Sequence, residues 1–229
     1  MQDHTPTPTP CRSASSLPLH PPPAPAELPV EPSLHGMPAR SLLRFSLYAA
    51  AIVLTMGASL AVFPGVAAFI CSELNPAVVS PCAAHADAGR LYGDLFVPVL
   101  FVLFSLGDLC GRVMSSWGPW GRRPPPALAL LAYALARGVL VVALMVCHVV
   151  TPTPWRLRTV LVADWWPFGL VAGLGLTQGH LLSTACMHAP AVVPPGREAT
   201  FGPMTGLCIT LGCLLGSIAN SFIMQYLSA

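Results

Sequence analysis

Five long apolar runs, separated by short polar or proline-containing stretches, follow an N-terminal segment with no helical or strand period. The runs cover residues 45–70, 91–117, 127–150, 166–187 and 201–226. Each is long enough to cross a bilayer as a helix, for which about 20 residues are required. A helix satisfies its backbone hydrogen bonds within the segment, so these runs predict an all-α polytopic membrane helix bundle over residues 42–229. Trp117, Trp120, Trp155, Trp165 and Trp166 fall at the edges of the runs, where an amphipathic ring prefers the headgroup layer. Pro64, Pro98, Pro167 and Pro203 stand inside the runs or at their mouths, and Gly173, Gly175 and Gly179 recur in the fourth. Such breaks are tolerated where neighbouring helices satisfy the freed carbonyls, and small residues let helices approach closely.

Residues 1–41 read differently. They carry Thr5-Pro6-Thr7-Pro8-Thr9-Pro10, then Pro21-Pro22-Pro23 and Pro25. A stretch of this composition cannot bury enough apolar surface to offset its chain entropy, which predicts a disordered, Pro-rich segment. No apolar core follows Arg12 at the distance a signal peptide requires. An odd number of crossings puts the two chain ends on opposite sides of the membrane. Arg40, Arg44, Arg122, Arg123 and Arg197 cluster near the tail side, against Arg90, Arg156 and Arg158 with Glu73 and Asp87 on the other, so the positive-inside bias places the tail in the cytoplasm.

Composition narrows the function classes. Charged residues make up 9% of the chain, hydrophobic residues 54%, and the mean hydropathy is +0.67, values outside those of ordinary soluble domains. A net charge of +2 with eleven Arg and no Lys gives no basic footprint for nucleic acid and no Walker lysine. The Gly173-x-Gly175 pair followed by Gly179 lacks the spacing and the preceding strand of a dinucleotide fingerprint, and no His/Cys cluster has zinc spacing. The sequence therefore points to no enzyme and no cofactor. Of the eight Cys, Cys71, Cys110, Cys147, Cys186, Cys208 and Cys213 lie in or at the ends of apolar runs, where Cys packs as a small hydrophobe. Cys82 sits in a loop and forms a candidate disulfide with Cys71 if that loop faces an oxidising compartment.

The chemistry concentrates in the second run. Asp108 and Arg112 stand four residues apart, with the acid N-terminal to the base, the favourable order for a pair on one helix face. Burying either charge in lipid costs roughly 2.5 kcal/mol or more on insertion scales, so the pair faces something other than acyl chains. Ser105 and Phe101 continue the same face, adding a hydroxyl and an aromatic ring. Two readings stand side by side: a solute path, and a self-neutralising pair whose arginine snorkels to the headgroups. Arg137, deep in the third run, has no acid within a turn of its own helix and needs a partner from another segment. It reads equally as a ligand group or as a packing residue bonded to neighbouring carbonyls. His180 reads as a hydrogen-bonded structural imidazole or as a group titrating near neutral pH.

These residues resemble a known family. Phe104-Ser105-Leu106-Gly107-Asp108-Leu109-Cys110-Gly111-Arg112 is similar to the Phe-Asn-x-x-Asp-x-x-Gly-Arg stretch of the equilibrative nucleoside transporters, solute carrier family 29. Leu135-Ala136-Arg137 with the apolar run to Cys147 fits that family. So do Phe63-Pro64-Gly65 and the series Val193-Pro194, Arg197-Glu198-Ala199, Gly202, Met204, Leu211-Gly212 and Gly216. Ser105 stands where the family has Asn, Gln178-Gly179-His180 where it has Asn-Gly-Tyr, and Val142 where it has Pro. The resemblance covers residues 42–227 and implies the C-terminal half, five helices, of a major-facilitator-like eleven-helix carrier. It implies facilitative transport of nucleosides, with nucleobases as further cargo, once an N-terminal six-helix half completes the cavity. By the same resemblance Asp108 and Arg112 contact the ribose, Ser105 and Phe101 line the cavity, and Phe63, Arg137, Gln178, Gly212 and Gly216 serve the pathway or its packing. The implied partners are a nucleoside and the lipid bilayer, in the plasma membrane or, alternatively, a lysosomal or endosomal one. A truncated, non-transporting chain acting as a membrane interaction or regulatory subunit is the alternative function.

Overall fold

The computed structural model describes residues 38–70, 72, 91, 95–117, 123–147, 149, 160–161, 163–193 and 198–228. Six α-helices lie among them: α1 (Ala39–Val62), α2 (Phe96–Trp117), α3 (Ala127–Ala136), α4 (Gly138–Met145), α5 (Trp165–His188) and α6 (Glu198–Ser228). Short 3-10 turns at Val66–Phe69 and Pro190–Val192 follow α1 and α5. The candidate Cys71–Cys82 bridge and nearly all of the Pro-rich segment lie outside the described residues.

Prolines set several boundaries. Pro38 and Pro126 stand extended immediately before α1 and α3 and accept the first helical bonds, from Ser41 N at 2.9 Å and Ala129 N at 2.9 Å. A proline needs no N–H partner there, and its fixed φ suits a helix entry. Residues 39–41, expected in the unstructured segment, are therefore helical. Pro64 falls just past the end of α1, so the run expected to be one helix over 45–70 is α1 followed by the 3-10 turn. The second expected run, 91–117, contributes α2 from Phe96, and the third, 127–150, forms α3 and α4 with a single irregular turn at Arg137.

Four helical stretches are long and apolar enough to cross a membrane: Ala39–Phe69, Phe96–Trp117, Ala127–Met145 and Gly202–Leu227. The fourth expected run, 166–187, forms α5, which is less apolar than these four stretches. Its 24 residues suffice in length, but Thr177, Gln178, His180, Ser183 and Thr184 lower its apolarity. The physical reason is placement: α5 packs on α1, α2, α3 and α4, and its buried positions lie on several sides of the helix. A helix lined by protein needs less lipid-compatible surface than one at the rim.

Successive long segments run in opposite directions. Tyr48 near the start of α1 donates to Pro125 O before α3 at 2.7 Å, while beyond α1 Ser72 donates to Asp164 before α5 at 2.6 Å. Two apolar clusters fill opposite ends of the bundle. One gathers Val62, Phe63, Phe96, Leu100, Leu144, Val171, Leu174 and Leu227; the other gathers Phe45, Tyr48, Ile52, Leu130, Ala134, Leu181 and Ala185. Between them lies a buried polar layer of Thr55, Ser59 and Arg137. The most extensive packing joins α2 to α5, and the next joins α1 to α6.

Candidate functional site

Glycines bring α2 and α5 almost into backbone contact. Gly107 and Gly111 on α2 and Gly175 and Gly179 on α5 are each spaced by four, placing each pair on one helix face. A Cβ at any of the four would come within 3.0 Å of the facing backbone: Ala172 for Gly107, Leu176 for Gly111, Phe104 for Gly175 and Asp108 for Gly179. Lipid offers no hydrophobic drive for helices to pair, so dispersion between closely apposed backbones supplies much of the attraction. The same device joins α6 to α1, where Gly212 faces Val53 and Met56 and Gly216 faces Gly57 and Leu60. Gly212 and Gly216 thus occupy a packing seam.

Asp108 is held by this contact. Its backbone lies against Gly175 and Gly179, and its carboxylate Oδ2 accepts from Arg112 Nε at 2.7 Å. The two partners are unequal: the Arg112 side chain is 49% exposed and that of Asp108 19%. The second carboxylate oxygen, Asp108 Oδ1, is buried and has no hydrogen-bond partner among the described residues. An ionised carboxylate oxygen without a donor is a costly arrangement in a protein interior, which marks the atom as an acceptor open to a ligand or a water.

Phe101, Ser105, Asp108 and Arg112 share one face of α2. Phe101 and Ser105 are exposed, and Ser105 Oγ donates to Phe101 O of its own helix at 2.9 Å. Phe63, just past α1, stacks on Phe104 with centroids 4.2 Å apart and tilts onto Phe101 at 4.7 Å. The end of α1 is thereby fixed beside this face.

Arg137 stands apart from that face. It is 1% exposed, and its guanidinium makes four hydrogen bonds, all to α1 and α5. Nε donates to Thr177 Oγ1 at 3.0 Å and Nη1 to Thr55 O at 3.1 Å, while Nη2 donates to Ser59 Oγ at 2.8 Å and to Leu174 O at 3.1 Å. Thr177 in turn donates to Gly173 O at 2.8 Å. The residue clamps the third segment to its two neighbours.

Gln178 is 8% exposed, and its Oε1 is buried without a partner among the described residues, as is Asn220 Oδ1, which abuts Gly65. His180 lies beside Tyr133, ring centroids 6.0 Å apart. Among the described residues no group of three His, Cys, Asp or Glu converges as a metal site would need. Thr55, Ser59 and Thr177 as the acceptors of Arg137, and Asn220, carry no local signal in the sequence. Gly107 and Gly111, to which the sequence analysis assigns no role, do carry one in the small-x-x-x-small spacing at 107/111, 175/179 and 212/216.

Comparison with known proteins supplies the frame for this geometry. A family model described as nucleoside transporter matches residues 39–226. Equilibrative nucleoside transporter 2 from Mus musculus is 28% identical over 222 residues, 96% of this chain and 45% of that protein. Its Homo sapiens counterpart is 27% identical over 206 residues, 89% of this chain and 41% of its own length. Equilibrative nucleoside transporter 3 from Rattus norvegicus is 27% identical over 165 residues, 69% of this chain and 34% of its own length. The chain thus spans less than half the length of these relatives. With its four membrane-capable helices it is a multi-pass membrane protein, and its relatives are transporters, not enzymes. It belongs to the equilibrative nucleoside transporter family.

Proposed function

We propose that this chain forms one wall of a facilitative nucleoside path, with Asp108 and Arg112 on the α2 face that meets the solute. The observation that carries the reading is Asp108 Oδ1, a buried acceptor with no donor in the described protein, beside an oxygen already held by Arg112. A ribose hydroxyl supplies the missing donor and can accept from a remaining guanidinium N–H of Arg112. Recognition of that kind favours nucleosides over free nucleobases, which lack the sugar. The exposed face of α2, with Phe101, Ser105 and Arg112, takes its opposite wall from a six-helix half corresponding to the part of the relatives outside the match. Arg40, Arg44 and Arg123 at the end where α1 and α3 begin orient that end to the cytoplasm, and the plasma membrane is the proposed location.

Uptake measurements test this directly. Cells producing the chain together with a six-helix half from one of the relatives take up uridine saturably, and adenosine competes. The chain alone in liposomes does not. Saturable uptake by the chain alone overturns the two-half arrangement and points to a pair of identical chains. Absence of uptake in both settings overturns the transport reading.

A further inference from the structure

Two buried oxygens without donors flank one helix contact. Asp108 Oδ1 is the first. Gln178 Oε1 is the second, and it belongs to the residue immediately before Gly179, the glycine that abuts the Asp108 backbone. The Gln178 side chain makes no hydrogen bond to any described residue, although the residue is 8% exposed. An amide oxygen left without a donor in an interior costs far more than one left in water. Packing alone gives no reason for an amide here: Leu174 and Leu182, one turn to either side, are apolar and buried.

Its direction follows from the helical period. On α5, Leu174 and Thr177 face Arg137 and α1, and Gly175 and Gly179 face α2. Gln178, four residues after Leu174 and three after Gly175, falls in the angle between these stripes, at the level of Asp108. Further toward the start of α5, Phe63 joins α1 to Phe101 and Phe104 of α2.

We infer that Gln178 is a specificity-determining residue that reads the hydrogen-bonding edge of the nucleobase while Asp108 holds the sugar. This inference rests on the nucleoside-path reading above. An amide offers a donor beside an acceptor, the pattern that pairs with an adenine or cytosine edge, where an amino donor adjoins a ring acceptor. Rotated by half a turn it offers the reverse and pairs with hypoxanthine or uracil, where a carbonyl adjoins a ring N–H. A glutamine therefore accepts both edge types and discriminates little between them. It discriminates against a base with only hydrogen at that exocyclic position, because the amide oxygen then stays unmet while its N–H can still meet the ring acceptor.

Three purine nucleosides of nearly one shape test this in the two-half uptake system: adenosine, inosine and purine riboside, which has only hydrogen at position 6. The unaltered protein takes up adenosine and inosine with similar kcat/KM, each about tenfold above purine riboside. Gln178→Glu, an acceptor without a donor, meets the one donor of either edge and opposes its acceptor, so uptake of adenosine and of inosine falls about tenfold alike. Gln178→Met, neutral and similar in length, brings all three nucleosides to the level of purine riboside. Surface labelling normalises each value, and ratios between substrates are unaffected by how much protein reaches the surface. A merely structural amide changes the amount of protein and the overall rate but leaves every ratio as it was. Unchanged ratios in Gln178→Met overturn the inference while leaving the nucleoside path intact. No uptake of any nucleoside by the unaltered protein overturns both.

Discussion

Arg137 and Arg112 are both cations in apolar segments, and the protein treats them in opposite ways. Arg137 has four hydrogen bonds to neighbouring helices and almost no exposed surface. Arg112 has a carboxylate partner on its own helix and remains half exposed, while that partner keeps one buried oxygen free of any described donor. The first is a group whose interactions are completed inside the fold, and the second pair keeps an acceptor that no described residue meets. A charge in a membrane segment is therefore informative through its remaining valence more than through its presence. Stability and transport should separate along the same line, and three sets of variants probe whether they do.

The largest effect is expected at the clamp. Arg137→Leu removes the donors that meet Ser59 Oγ, Thr177 Oγ1 and the carbonyls of Thr55 and Leu174. Loss of a buried network of this size costs about 3–5 kcal/mol, read as a fall in Tm in detergent and in surface level. Arg137→Lys keeps the charge but not the planar fork, so it recovers only part of the loss. A variant that folds normally yet loses uptake would break the comparison by making Arg137 a solute contact.

The glycine seam between α2 and α5 comes next. At Gly179 a Cβ would strike the Asp108 backbone, whereas at Gly173 on the same helix it meets nothing within 4 Å. Gly179→Ala should destabilise by about 1–3 kcal/mol, the cost of forcing packed backbones apart. Gly173→Ala should be neutral or stabilising by up to about 1 kcal/mol through helix propensity. Thermal unfolding of the two variants side by side checks the sign of each. Gly179→Ala should also depress uptake, because the displaced backbone is that of Asp108.

Some of this organisation was legible in the sequence because the membrane imposes it. Runs of about 20 apolar residues announce spans, and Asp108 and Arg112 at a spacing of four announce a shared face. The signal is weakest at α5, where Thr177, Gln178 and Thr184 lower the apolarity of a helix that packs on four others. For Arg137 a packing duty was one of two readings, but its partners were not legible. Its acceptors Thr55 and Ser59 lie 82 and 78 residues away in another helix, and no local rule joins them. The glycine spacings mark faces that pack closely, but the pairing of α2 with α5 and of α1 with α6 is a tertiary fact.

The smallest effect on folding is expected where the effect on function is greatest. The Asp108–Arg112 pair joins adjacent turns of one helix and is half open to its surroundings at Arg112, so it adds about 0.5 kcal/mol or less to stability. Replacing both by leucine, Asp108→Leu/Arg112→Leu, removes the pair without leaving an uncompensated charge, a change that buried pairs often tolerate. Either single change is less benign: Asp108→Asn leaves Arg112 without its counter-charge, and Arg112→Leu leaves a carboxylate with both oxygens unmet. The double variant should melt within a few degrees of the unaltered protein and reach the surface at a similar level. Its nucleoside uptake in the two-half system should fall by about tenfold to a hundredfold, the loss carried by hydrogen bonds to a charged acceptor. A double cycle of Asp108 and Arg112 read in stability should then show the double variant recovering what each single change loses, while the same cycle read in uptake shows no such recovery, since the two groups hold one ligand between them. Full uptake by the double variant would remove the pair from the solute path and leave it as a surface ion pair on α2.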